Sequence, residues 1–207
     1  MTQARNLVTA PIAPALLMFA LPTLGSSVLQ SANGSIDATW VGRILGESAL
    51  AATTNGNLIM FLLTAFVFGF GMASTILIGQ SVGRGDMTAA KEVVGTAVGS
   101  FLPLALAIAA GGWWLAPQLL ALLGTPHEIT DLAQQFLRVT FFAMPAILMQ
   151  TMLMMALRGA GDSMTPLIFM ALAVVLDVVL NPVFILGLGP APQMGIAGSA
   201  FAMALAN

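Results

Sequence analysis

The stretch that decides the fold of this chain spans residues 166–188 and reads PLIFMALAVVLDVVLNPVFILGL. It holds one ionisable side chain, Asp177, in a mainly apolar run, and a helix needs about 20 such residues to cross a bilayer. A charged group at membrane depth costs about 2.5–3.5 kcal/mol on insertion scales, so it usually faces a bundle interior or a water-filled cavity. The stretch therefore predicts a transmembrane helix with a functional carboxylate.

The composition of the whole chain points the same way. Of its 207 residues, 58% are hydrophobic and 7% are charged, whereas a typical soluble domain has about 25% charged residues. A net charge of −2 without a basic tract argues against nucleic acid as a partner. The lack of Cys excludes a thiolate metal site. His127 is the single histidine, so the chain cannot supply the paired imidazoles of a zinc site of the HExxH type. We therefore expect an all-α membrane protein without a cofactor or transition metal.

Six apolar segments can be read along the chain, and the sixth is too short to cross a membrane. The breaks between the later segments are polar and rich in Gly, as at residues 83–86, 124–128, 158–162 and 187–190. The chain stops within the sixth segment, so we expect it to be the first half of a longer protein, with a C-terminal lobe beyond Asn207. The predicted segments are 13–41, 51–82, 89–123, 129–157, 166–188 and 195–207.

The distribution of Lys and Arg predicts a cytoplasmic N-terminus. In that orientation the cytoplasmic side receives most of the basic residues, and the outer side receives Arg43. His127 falls in an acidic outer loop, where we expect a solvated side chain. The basic residues placed on the cytoplasmic side are Arg5, Arg84, Lys91 and Arg158.

Two carboxylates, Asp37 and Asp177, are predicted to lie at similar depths. Asp37 lies late in the first segment, about 36 Å along a helix that rises 1.5 Å per residue. Asp177 lies about halfway along the fifth segment, which starts on the same side of the membrane. The alternative is that Asp37 ends its helix and faces outer water.

Asp177 shares a helix face with Asn181, four residues later, and Pro182 follows directly. Pro182 has no N–H, so the carbonyl of Val178 loses its helical partner and we expect a kink. A carboxylate, an amide and a freed carbonyl are hard oxygen donors suited to Na⁺ or a proton. The alternative is a polar contact that only holds helices together. Pro22 and Pro145 also predict kinks or hinges within spans.

Weaker signals concern packing and a possible cavity. The pattern Gly95-x-x-x-Gly99 permits a close approach of two helices. Gln150, in the fourth segment, is a candidate for lining a substrate cavity, and a packing hydrogen bond explains it equally well.

Several stretches, taken together and in order, resemble the multidrug and toxic compound extrusion (MATE) family, and in particular its DinF-like branch. The resemblance covers essentially the whole chain. The stretches are DATWVGRILG (37–46), ALAA (49–52), GQSVGRGD (79–86), LRGAGDSMTP (157–166), LDVVLNP (176–182) and GIAGSA (195–200).

The resemblance implies a twelve-helix inner-membrane transporter with two six-helix lobes, of which this chain is the N-terminal lobe. Family members export cationic, amphipathic compounds in exchange for H⁺ or Na⁺. The family's first-helix Asp is matched by Asp37. Its fifth-helix amide and carboxylate appear here as Asp177 and Asn181, in the reverse order to many members. Ser199 matches a sixth-helix hydroxyl that often completes the cation site.

The leading hypothesis is a secondary active antiporter that works by alternating access. Two alternatives stay open at this point. One is a flippase of lipid-linked precursors from the same superfamily, whose cavities tend to be more basic. The other is a membrane subunit that transports nothing. A membrane enzyme fits the sequence least, because it contains no nucleophile–base pair.

Overall fold

The chain folds into α-helices that run almost end to end. The computed structural model describes residues 11–187 and 193–206, and that part of the chain forms six helices. Five of them are 23 to 37 residues long and apolar enough to cross a membrane, and the last has 11 residues and is too short. This confirms the predicted all-α membrane fold. The helices are α1 (Ile12–Leu45), α2 (Glu47–Gly83), α3 (Met87–Leu122), α4 (His127–Gly159), α5 (Met164–Leu186) and α6 (Ile196–Ala206).

The observed helices extend a few residues beyond most of the predicted segments. One prediction was wrong: His127 is the first residue of α4 and not a loop residue, although its side chain is exposed. The reason is Pro126, whose extended backbone (φ −57°, ψ 140°) places the helix start directly after it. Arg5, the break around Gly189 and the terminal Asn207 lie outside the described residues.

A single residue, Gly46, joins α1 to α2. Its backbone has φ 86° and ψ −176°, a conformation open only to glycine without strain. The chain reverses at this link, and Gly42 of α1 lies against Leu50 of α2. Short connections also join the next helices, so the five long helices alternate in direction and α1 runs parallel to α5.

The helices form two groups of three. In the first, α4 packs along α2 and α3, and its buried side chains include Leu137, Phe141 and Leu148. In the second, α5 packs between α1 and α6. Contacts of α6 with α4, and fewer of α1 with α2, join the two groups. As a result α1 lies mainly against α5, which is distant in sequence and carries Asp177.

An Asp side chain fixes the start of α5. The Asp162 carboxylate accepts hydrogen bonds from the backbone N–H groups of Met164 and Thr165 and from the Thr165 hydroxyl, at 2.6–3.1 Å. Partial burial opposes the ionised form, but these hydrogen bonds outweigh it and lower the pKa of Asp162. Asp162, which lies before the membrane-spanning part of α5, thereby stabilises the first turn of this helix.

Small residues allow close crossings between helices. A Cβ added at Gly159, at the end of α4, would lie 2.7 Å from the carbonyl oxygen of Thr75 on α2. The Thr75 hydroxyl donates across the same crossing to the Met155 carbonyl, at 3.1 Å. The Gly95-x-x-x-Gly99 pattern forms no such crossing within the described chain, because a Cβ at either glycine would meet no atom within 4 Å. The described part of the chain therefore does not use this pattern for helix packing.

The three prolines predicted to kink helices, Pro22, Pro145 and Pro182, lie inside α1, α4 and α5. Each helix continues on both sides of its proline. The hinge role of the three residues stays a prediction.

We expect Gly159→Ala to destabilise the fold by about 1–3 kcal/mol, because the new methyl group meets backbone that cannot move aside without separating α2 from α4. Thermal unfolding of the purified natural polypeptide in detergent measures this. The matched control is Gly95→Ala, which adds the same group to open space and should leave the midpoint unchanged or raised. Equal midpoints for the two variants would contradict the importance of this crossing.

Candidate functional site

A direct hydrogen bond joins α1 to α5 within the membrane-spanning part of the bundle. The amide Nδ2 of Asn181 donates to Oδ1 of Asp37 at 2.6 Å. Asn181 and Asp177, one helical turn earlier, both have 0% of their surface exposed, whereas Asp37 is half-buried. The two predicted carboxylates and the predicted amide are therefore brought together by the fold.

The backbone explains this placement. Asp177 and Asn181 are four residues apart, so they project from the same face of α5. Asp37 precedes the end of α1 at Leu45 by two helical turns, which rules out its alternative placement at the helix end. Because α1 and α5 run parallel, with Gly25 against Leu167 and Asp37 against Asn181, the polar residues stay level with one another.

The site contains a set of buried oxygens without hydrogen-bond donors. Both carboxylate oxygens of Asp177 and the Oδ1 of Asn181 are buried and accept no hydrogen bond. The carboxyl groups of Asp37 and Asp177 adjoin each other. Unpaired acceptors in a protein interior are costly. Two adjacent carboxylates repel each other unless a cation binds between them or one of them takes up a proton. The arrangement is therefore chemically suited to hold a small cation or a shared proton.

One member of this cluster was not predicted from the sequence. Asn33 lies one turn before Asp37 on α1, beside the Asp177 carboxyl, and its Oδ1 is also buried without a partner. Its spacing in the sequence could have indicated it, because Asn33 and Asp37 are four residues apart, as are Asp177 and Asn181. Asn33 lies in a Gly- and Ser-rich stretch, so its polarity did not distinguish it from its neighbours.

Asp37 also borders a cavity of about 360 Å³ between the two groups of helices. Asp37 is the one ionisable residue among those that line it, and none of them is Lys or Arg. Asp177 and Asn181 do not line the cavity and lie buried behind Asp37. The other polar side chains that line the cavity are amides and hydroxyls: Gln30, Asn33, Asn57, Thr53, Thr54, Thr64, Thr151 and Ser199.

Two further predicted residues differ in their relation to this cavity. Ser199 is buried in α6 and lines the cavity with Asp37. Gln150 is half-buried and is not among the lining residues, because Ile147 and Thr151 form the side of α4 that lines the cavity at this level. One residue along a helix is a rotation of 100°, which turns Gln150 away from that side.

The chemistry of the site also limits what it can bind. The described part of the chain contains no group of three or more His, Cys, Asp or Glu side chains that could hold a metal ion. Two carboxylates and two amides provide oxygen donors alone, which suit H⁺ or an alkali cation better than zinc or copper.

The chain is similar in sequence to known membrane transport proteins. It is 36% identical over 190 residues to the probable multidrug resistance protein YoeA of Bacillus subtilis, which covers 92% of this chain and 41% of that protein. It is 28% identical over 203 residues to an FAD transporter of Shewanella oneidensis, covering 98% and 44% of the two chains. The chain thus spans less than half the length of the curated relatives that it matches.

The fold also matches solved structures. A crystal structure of MATE in the bent conformation superposes with a TM-score of 0.89 at 25% identity, covering all of this chain and 45% of the other. The matched part corresponds to one lobe. The family model described as MatE matches residues 22–183, a range that contains Asp37, Asp177 and Asn181. By its sequence and by its fold, the chain belongs to the MATE family of multi-pass membrane transporters.

Proposed function

We propose that the natural polypeptide containing this chain is a secondary active antiporter that exports cationic or amphipathic compounds in exchange for H⁺ or Na⁺. The observation that carries the proposal is the position of Asp37. It faces the cavity on one side and accepts the Asn181 hydrogen bond on the other. An ion at the Asp37–Asp177 pair would therefore alter both the charge of the cavity and the contact between α1 and α5.

The mechanism that we propose is alternating access between two lobes. A cation or proton bound by Asp37, Asp177 and Asn181, with Ser199 nearby, would hold α1 against α5. Release of the ion would leave two carboxylates to repel each other and would loosen this contact. Pro182 lies directly after Asn181 and is placed to absorb the movement. The second lobe would follow Asn207, as the greater length of the relatives supports.

We propose that the protein lies in the inner membrane with its N-terminus in the cytoplasm. Because the long helices alternate in direction, Arg84, Lys91 and Arg158 lie towards one end of the bundle and Arg43 towards the other. This distribution supports a cytoplasmic end that carries the three basic residues. Assignment to the DinF-like branch stays a prediction.

The charge of the cavity favours cationic over anionic substrates. The Asp37 carboxylate lies in a lining without Lys or Arg, so a diphosphate group would find repulsion and no ionic partner. This observation argues against a flippase of lipid-linked precursors. It also argues against FAD, the molecule named for the Shewanella relative. A subunit that transports nothing would not need a carboxylate that links a cavity to a buried ion site.

We expect Asp37→Asn to reduce ion-coupled dye efflux by the natural polypeptide to the level of protein-free liposomes, while the protein still reaches the membrane. The substitution keeps the shape and removes the charge that an ion or a cationic substrate would neutralise. Efflux from reconstituted liposomes under an imposed H⁺ or Na⁺ gradient measures this. The matched control, Asp131→Asn, changes an exposed carboxylate on α4 and should preserve the efflux rate. Wild-type efflux from Asp37→Asn would contradict the antiporter.

A second prediction concerns the sign of the substrate charge. We expect a monovalent cationic dye to be exported faster than FAD by the wild-type protein. Thr54→Lys, which places an ammonium group in the cavity, should reduce cation export more than the neutral Thr54→Gln does. Transport of both compounds, measured with each variant in liposomes, tests this. Faster export of FAD by the wild type would contradict the proposed substrate class.

A further inference from the structure

The polar residues of α1 and α5 form two matched levels. At one level the Asn181 amide of α5 donates to Asp37 of α1. At the other, one turn towards the N-terminal ends of both helices, the Asn33 amide of α1 lies beside the Asp177 carboxyl of α5. Each carboxylate is thus placed against an amide of the opposite helix. This pattern requires parallel helices with equal four-residue spacing, and both conditions are met here.

The two levels differ in how their oxygens are used. At the Asp37 level, one carboxylate oxygen already accepts the Asn181 amide. At the Asn33 level, both oxygens of Asp177 and the Oδ1 of Asn33 are buried and have no donor. Asp177 is completely buried, so water outside the protein does not reach these oxygens. Of the four buried oxygens without a donor in this cluster, three therefore belong to Asn33 and Asp177, and the fourth is the Oδ1 of Asn181.

We propose that Asn33 is an ion ligand and that it sets the preference of the Asp37–Asp177 site for Na⁺ over H⁺. This inference rests on the proposed antiporter function. A proton is held by one carboxylate oxygen, so it needs no amide oxygen nearby. A Na⁺ ion that loses its water needs several oxygens around it, and a neutral amide oxygen adds one without adding charge. Removing that oxygen should weaken Na⁺ binding far more than proton binding.

A purely structural role for Asn33 makes a different prediction. If Asn33 only positioned Asp177 through its amide N–H, its loss would disturb the binding of both ions. If it only filled space, a side chain of similar size would replace it. The useful measurement is therefore the ratio of Na⁺ affinity to proton affinity, which a positional effect on Asp177 would not shift selectively.

The test uses the purified natural polypeptide with the variants Asn33→Leu and Asn33→Asp. Leu has a similar size and no oxygen, whereas Asp keeps the oxygen, removes the N–H and adds a negative charge. Equilibrium binding of radioactive Na⁺ is measured over a series of pH values, so that competition by protons can be followed. The control is Asn55→Leu, because the Asn55 amide donates to the Ala51 carbonyl on α2 and does not line the cavity.

We expect Asn33→Leu to weaken Na⁺ binding by about tenfold or more, the loss of one ligand to a charged group, with the pH of half-maximal proton competition nearly unchanged. Asn33→Asp should bind Na⁺ at least as tightly as the wild type, and Asn55→Leu should match the wild type. Unchanged Na⁺ affinity in Asn33→Leu would overturn the inference. Equal losses in Asn33→Asp and Asn33→Leu would overturn it too, since the amide N–H would then be the important group.

Failure of this inference can be told apart from failure of the antiporter. A wild-type protein that binds no Na⁺ but exports dye on a proton gradient overturns the role of Asn33 and leaves the antiporter intact. Efflux that does not change in Asp37→Asn overturns the antiporter itself. If Asn33→Leu does not fold, the comparison of Asn33→Asp with the wild type still decides, because the proposal requires Na⁺ binding to be retained there.

Discussion

The rest of the site depends on one constraint: polar side chains inside a lipid-facing bundle must find partners within the protein. Lipid offers no hydrogen bonds, so Asp37, Asp177 and Asn181 are stable only where α1 and α5 bring them together. The bundle satisfies one oxygen of Asp37 and leaves several oxygens of its neighbours unpaired. A structure that needed only stability would replace this cluster with apolar side chains. Its presence supports the proposal that the α1–α5 contact binds an ion.

Much of the fold follows from hydropathy along the chain. Long apolar runs interrupted by Gly, Pro and charged residues located the helices to within a few residues, because a bilayer sets their minimum length. The same reasoning placed Asp37 and Asp177 at similar depth, since depth depends on rise per residue. His127 was misplaced by one element boundary, where a preceding proline started the helix earlier than the polar break suggested.

The rotation of each helix about its axis could not be predicted in the same way. Gln150 and Thr151 are neighbours in sequence, yet only Thr151 faces the cavity, and nothing in their polarity distinguishes them. The glycines show the same limit. Gly95 and Gly99 have the familiar spacing of a packing motif and face open space, whereas Gly159 crosses α2 at close range without such a motif. Asn33 was missed because the carboxylate beside it, Asp177, lies about 140 residues later in the sequence.

The single-residue link at Gly46 has a mechanical consequence for α1. A helix of 34 residues is about 51 Å long, so a turn of about 5° around that link would move the far end by about 4 Å. The same turn would move Asp37, about 12 Å from the link, by only about 1 Å. The polar cluster thus lies close to the point about which α1 would turn. A change of about 1 Å in contact distance at Asp37 would therefore become a displacement of about 4 Å at the opposite membrane face.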